Sequence, residues 1–163
     1  MTFAGGLPQE QVLEAYRPAF DQLVASGVRQ EMADLDELDR EVRPEATGVF
    51  AIVGARLIDG TGAPAIPDSV VIVRDGRIVA AGARAATPLP AGIRIIHAEG
   101  QSLLPGLWEM HSHYSGVEFG PALLAAGVTT ARDCGGEFGF LTAVRAKIER
   151  EHALGPQIGR AHV

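Results

Sequence analysis

The chain has 163 residues, of which 47% are hydrophobic and 21% charged, with a formal net charge of −6. These values are typical of globular proteins and exclude gross disorder, and the length excludes a complete eight-stranded α/β barrel, which needs about 250 residues. The sequence contains no apolar run long enough for a membrane span, no signal-peptide pattern and only one cysteine. We therefore predict a cytoplasmic protein that binds neither membranes nor nucleic acid.

The negative charge lies in residues 1–46, which hold ten acidic residues and four arginines, whereas residues 47–163 are neutral. Apolar residues at helical spacing predict two helices in this segment. Pro18 is expected to kink or restart the first helix, Gly27 to end it, and Pro44 to end the second. We predict that the acidic residues form a solvated face, with docking to a partner as the alternative.

Residues 47–106 change to short apolar runs typical of strands. Asp75-Gly76 lies between two of these runs, and this turn pair predicts a β-hairpin. Short strands at this spacing indicate a small β-sandwich or a partial barrel. The predicted strands cover residues 50–58, 70–74, 77–81, 93–97 and 102–104.

Residues 107–157 alternate strand and helix patterns. We predict strands over 107–113 and 128–132, each followed by a helix, over 118–126 and 137–152. This order is typical of parallel α/β units.

His111 and His113 lie two residues apart near the end of the predicted strand 107–113. Alternate side chains of a strand point the same way, so both imidazoles and Glu109 are expected on one face. Two neutral imidazoles placed in this way can share one divalent cation. Trp108 and Met110 take the other face, where we expect them to pack under surrounding helices. Taken alone, the pair also fits two ordinary polar residues at a strand end.

Four segments of the chain resemble the opening of the metal-dependent amidohydrolase superfamily. Residues 103–113 read LLPGLWEMHSH, and the other segments are ARLIDGTG at 55–62, VRDGRIVAAG at 73–82 and LAAGVTTARD at 124–133. The resemblance covers about residues 50–156 and is closest to the branch of imidazolonepropionase and Xaa-Pro dipeptidases.

This resemblance implies a β-sandwich followed by a (β/α)₈ TIM barrel, of which the chain would hold the N-terminal helices, part of the sandwich and the first βα units. It implies that His111 and His113 bind a divalent metal, zinc above all, together with an Asp from a late strand. Many members add a carboxylated Lys and two further His for a second metal. Metal-activated water then attacks an amide, lactam or dipeptide carbonyl carbon, and the late Asp handles the proton.

The other candidate residues have structural interpretations. Glu109 is expected to support the site, Asp133 to serve in a turn or helix cap, and Cys134 to fill a small buried space. Lys147 is the only lysine and lies on a predicted amphipathic helix, so its position does not suit a metal bridge. We therefore assign no catalytic residue within these 163 residues.

Residues 158–163 read IGRAHV, which resembles translated sequencing-adapter DNA, and we interpret them as a non-native tail. The sequence thus predicts an inactive N-terminal fragment of an amidohydrolase that hydrolyses C–N bonds of a small-molecule amide or dipeptide. The alternative is a non-catalytic β-sandwich binding module with an acidic helical docking segment.

Overall fold

A computed structural model describes residues 2–4, 7–9, 12–42 and 44–160. The chain divides into two compact units, one formed by Met1–Arg43 with Gly106–Val163 and the other by Pro44–Pro105. Both contain β-sheet, and only the first contains α-helix among the described residues.

The first unit begins with a short antiparallel pair of strands, β1 (Thr2–Ala4) and β2 (Leu7–Gln9). A 3-10 helix over Glu14–Ala19 contains Pro18 and leads directly into α1, which spans Phe20–Glu41. The prediction that Gly27 ends a helix is wrong, because Gly27 lies inside α1. The helix continues because its apolar stripe packs in the core of this unit around Leu35, and such packing outweighs the modest cost of one helical glycine.

The second unit holds a four-stranded mixed sheet in the order β6-β5-β3-β7 and a two-stranded parallel sheet of β4 and β8. Its strands are β3 (Val49–Val53), β4 (Arg56–Leu57), β5 (Ser69–Arg74), β6 (Arg77–Ala83), β7 (Arg94–His97) and β8 (Ser102–Leu103). The strand predicted over 50–58 is interrupted, because Gly54 adopts φ 90°. The predicted hairpin is confirmed, since Asp75 and Gly76 both have the positive φ that a type I′ turn needs.

The chain then returns to the first unit, where strands and helices alternate as predicted. The elements are β9 (Leu107–Ser112), α2 (Phe119–Ala125), β10 (Val128–Asp133), α3 (Phe138–Glu151) and β11 (Gln157–Arg160). The strands form one parallel sheet in the order β11-β10-β9. Strand β11 was not predicted, because Gln157–Arg160 offers one apolar side chain, Ile158, and part of it was interpreted as a tail. Residues 161–163 lie outside the described residues.

The core of the first unit joins α1, α3 and the segment after β9. Trp108 and Met110 are not part of it: their side chains are 70% and 53% exposed, so the prediction that they pack under helices is wrong. Strand β9 has a described neighbour on one side only, β10, and no described helix covers these two side chains. The described helices instead bury Leu35, Val144 and Phe140.

Candidate metal centre

Two histidines lie together at the C-terminal end of β9. His111 is in the strand and His113 follows it directly, and their ring centroids are 5.3 Å apart with planes tilted by 52°. The pairing of β9 with β10 has a register shift between Ala131 and Asp133, so the strand is irregular beside the first histidine. His111 is exposed and His113 is half-buried. The structure thus brings the two predicted site residues next to each other.

Glu109 holds the backbone of the first histidine. Its Oε1 accepts a hydrogen bond from the backbone N–H of His111 at 2.8 Å. A charge-assisted bond of this kind restricts the strand end locally. Glu109 thus makes a structural contact to the strand end, and its support of a metal site stays a prediction.

Asp133 ties the end of β10 to the segment after β9. Its carboxylate is 2% exposed and accepts backbone hydrogen bonds from Tyr114 at 2.7 Å, Gly135 at 3.0 Å and Gly136 at 2.7 Å. Asp133 therefore acts in a turn, as predicted, and it also positions the residue after His113. Burying a carboxylate is costly unless several donors satisfy it, and three donors do so here.

The surroundings of the His113 ring show whether this site suits a metal ion. Its Nδ1 atom is buried and has no hydrogen-bond partner. A buried imidazole nitrogen usually has a partner, and an unpaired one is a natural ligand atom for a divalent cation. No group of three or more His, Cys, Asp or Glu side chains in the described part of the chain could hold a metal ion. The residues present therefore fit two positions of a metal site, whereas catalytic zinc sites commonly have three protein ligands.

Lys147 is engaged elsewhere in the first unit. Its Nζ lies 2.7 Å from Asp36 Oδ1 of α1 and 3.0 Å from Glu151 Oε2 of α3, and its side chain is 14% exposed. The hydrogen bond to Asp36, followed by that to Glu151, raises the pKa of Lys147. This lysine therefore joins two helices, which agrees with the prediction that it is not a metal bridge.

Two other residues near the histidines have structural surroundings. Tyr114 is fully buried, and burial together with the charge of Glu118 raises the pKa of its hydroxyl. Cys134 is half-buried rather than buried, and its backbone N–H donates to Ser112 O at 2.8 Å.

Two acidic residues of α1 contact the backbone close to these elements, and the sequence analysis missed them. Glu31 Oε2 accepts a hydrogen bond from Val117 N at 3.2 Å, and Asp39 Oδ1 accepts one from Leu154 N at 2.6 Å. Both were predicted to lie on a solvated face, which is wrong because both are half-buried. The sequence could not predict these contacts, because an acidic residue of a helix has the same residue type whether it faces protein or water.

Several known proteins are similar to this chain in sequence or in fold. No protein-family model matches the chain. Over 67 residues it is 46% identical to an N-acyl-D-aspartate deacylase from Alcaligenes xylosoxydans xylosoxydans, a match that covers 41% of this chain and 13% of the deacylase. Molinate hydrolase superposes with a TM-score of 0.62 at 30% identity, over 70% of this chain and 30% of that chain. A Bifidobacterium longum protein described as a prolidase superposes with a TM-score of 0.62 at 28% identity, over 69% of this chain and 30% of the prolidase chain.

The helices and mixed sheets match part of an amidohydrolase fold. These similarities confirm the resemblance to the metal-dependent amidohydrolase superfamily that the motifs carry. The similarity to a prolidase agrees with the dipeptidase-related branch. The chain spans 30% of the length of each of these two solved structures and 13% of the length of the deacylase.

Proposed function

We propose that this chain is the N-terminal part of a metal-dependent amidohydrolase and that His111 and His113 are metal ligands in the complete enzyme. The observation that carries the proposal is the unpaired, buried Nδ1 of His113 beside the ring of His111. The relatives that match the chain are named as hydrolases, including a deacylase. We propose zinc as the metal, one or two ions in the complete site, and a C–N bond of a small-molecule amide, lactam or dipeptide as the target.

The described residues would contribute binding and orientation. Glu109 would hold the backbone of His111, and Asp133 would hold the segment after His113 through Tyr114 N. Both contacts would fix the direction of the imidazoles, which is what groups around a metal site usually do. When bound, a divalent ion lowers the pKa of water to about 7 and so supplies the nucleophile for hydrolysis.

The fragment itself would lack hydrolytic activity. The described residues bring two histidines together at this site, and no cluster of three ligands is found among them. Asp133 on the neighbouring strand is buried and accepts hydrogen bonds from three backbone N–H groups, so we assign it a structural role and not that of the general base. The remaining ligands and the proton-handling Asp would come from later strands of a TIM barrel that begins with β9 and β10.

Exposed apolar side chains support a larger assembly. Trp108 and Met110 on β9 are exposed, as are Ile78 and Val79 on the edge strand β6. Edge strands with apolar side chains normally pair or become covered. We propose that helices of the complete barrel cover the first pair and that strands completing the β-sandwich cover the second. We further propose a cytoplasmic enzyme; no helix in the described residues is long and apolar enough to cross a membrane.

Zinc binding tests the metal assignment directly. The 163-residue chain is titrated with Zn²⁺ by calorimetry, alongside the variants His111→Ala and His113→Ala. Matched controls are His97→Ala, an exposed histidine paired with Glu99, and His152→Ala at the end of α3. We expect weak binding that either site variant abolishes and neither control changes. Equal loss in the controls, or binding unchanged in the site variants, would contradict the proposal.

The source gene tests the wider proposal. DNA sequencing from the codon of Arg145 onward is expected to show a reading frame that continues, with a later Lys, two spaced His and a late Asp. Expression of that longer frame is expected to yield a metal-dependent hydrolase. A genuine stop codon after Val163 would contradict the enzyme and favour the non-catalytic binding module.

A further inference from the structure

The segment that follows the histidine pair is held from two sides. Asp133 of β10 accepts the N–H of Tyr114, and Glu31 of α1 accepts the N–H of Val117 three residues later. The side chains of Tyr114 and Val117 are both buried in the same core as Leu35 of α1. The backbone immediately after His113 is therefore fixed at both ends by a carboxylate and by packing.

The contact from α1 joins parts of the chain that are far apart in sequence. Glu31 and Val117 are separated by 86 residues, and Asp39 and Leu154 by 115. Val117 lies two residues before α2, outside the helix, and its backbone N–H donates to Glu31 Oε2. Glu31 therefore supplies from another element the acceptor for a backbone donor that lies in the connection between β9 and α2. This is a specific function for a helix that the amidohydrolase motifs do not explain.

We propose that Glu31 is a positioning residue for the histidine pair: through Val117 N, α1 holds the 114–117 segment and thereby fixes His113 for divalent-cation binding. The inference rests on the proposed function for its metal, and it makes α1 part of the site's scaffold rather than a docking arm for a foreign partner. The length of the Glu31 side chain is decisive, because only a side chain that reaches Val117 N can accept this bond, whereas the charge strengthens a bond that the length makes possible.

The test separates length from charge with three variants and one control. Glu31→Asp keeps the charge but shortens the side chain, Glu31→Gln keeps the length but removes the charge, and Glu31→Ala removes both. The control is Glu37→Ala, an exposed acidic residue on the same helix whose loss changes the net charge equally. The measurements are Zn²⁺ affinity by calorimetry and amide hydrogen exchange of residues 112–118 in the full chain.

We expect Glu31→Ala and Glu31→Asp to weaken zinc binding about tenfold, the low end of the loss seen when a group that orients a metal ligand is removed. Exchange of the 112–118 amides should accelerate by about five- to tenfold, as expected for one lost hydrogen bond. Glu31→Gln should lose less than Glu31→Asp, because its amide oxygen still reaches Val117 N and accepts the bond without the added strength of a charged acceptor, and Glu37→Ala should change neither quantity. If Glu31→Ala does not fold, the contrast between Glu31→Asp and Glu31→Gln decides the matter.

The two proposals fail in different ways. If zinc binds the wild type and all Glu31 variants equally, or if exchange at 112–118 is unaffected, the positioning role is overturned and the metal assignment stands. If Glu37→Ala weakens binding as much as Glu31→Ala, the effect is one of net charge and the positioning role is again overturned. If the wild type binds no zinc at all, the proposed function fails. Amide hydrogen exchange at residues 112–118 then decides by itself whether Glu31 holds the 114–117 segment, and unchanged exchange overturns that role as well.

Discussion

In the unit formed by Met1–Arg43 and Gly106–Val163, buried or half-buried carboxylates join backbone segments that are distant in sequence. In the Pro44–Pro105 unit, the order comes mainly from neighbouring strands and tight turns, and its buried cluster contains only Ala51, Val53, Val70 and Ile72. Its buried Ser69 donates to Ala55 O within the same unit. The first unit therefore depends on a few long-range side-chain contacts, whereas the second depends on backbone pairing between strands, including pairs as distant in sequence as β3 with β7 and β4 with β8.

The largest expected effect is the loss of the Asp133 carboxylate. Asp133→Ala leaves Tyr114 N, Gly135 N and Gly136 N without their acceptor, at a position that is almost fully buried. We expect the free energy of unfolding to fall by about 4 kcal/mol, since hydrogen bonds to a charged group contribute about 1.5–3 kcal/mol each and are not additive. Hydrogen exchange should accelerate in the first unit and not in residues 44–105. Equal acceleration of exchange in the first unit and in residues 44–105 would contradict the view that the Asp133 contacts stabilise only the first unit.

Leu35→Ala should come next, because this side chain is fully buried at the centre of the α1 contact. A buried Leu→Ala substitution costs about 3 kcal/mol through lost burial and the cavity left behind. The control is Leu23→Ala on the same helix, where the side chain is 52% exposed. We expect the control to change stability by under about 0.5 kcal/mol. Similar losses from both variants, measured by urea denaturation, would show that α1 does not pack as described.

Two glycine-to-alanine substitutions, one in each unit, should change the free energy of unfolding in opposite directions. Gly76 adopts φ 74° in the hairpin turn, so Gly76→Ala should destabilise the second unit by about 1–2 kcal/mol. Gly27 lies inside α1 with no atom near the position of an added Cβ, so Gly27→Ala should stabilise the helix by up to about 1 kcal/mol. Thermal unfolding of both variants checks the signs. Loss of stability in Gly27→Ala would instead favour the two separate helices that the sequence predicted.

The smallest effect concerns Lys147, which bridges α1 and α3. Lys147→Met should cost about 1 kcal/mol at pH 7, near the upper end for a partly exposed ion pair. The folded-state pKa of Lys147 is raised above its usual 10.5, so its contribution is complete below that pH and is lost as the pH rises through the folded value. The variant and the wild type should therefore converge in stability above pH 10.5. Arg145→Met, which breaks the exposed pair with Glu149, should show no such convergence.

The elements that the sequence predicted well are those with local signals. The Asp75-Gly76 hairpin, the strand bearing His111 and the helices after β9 and β10 all follow from turn residues and apolar spacing. The proximity of the two histidines also follows from their two-residue spacing. Strand β11 was not predicted because its own sequence carries little strand pattern, and its extended conformation depends on parallel pairing with β10.

Turns, helix periodicity and the family resemblance can be predicted from the amino-acid sequence, because turn geometry, apolar spacing and motif order are properties of neighbouring residues. The packing of the folded chain sets which acidic residues of α1 face protein and which face water. It also decided that α1 runs through Gly27 and that Trp108 is exposed while Tyr114 is buried. These outcomes depend on which element packs against a given face, and residues up to 115 positions apart determine that.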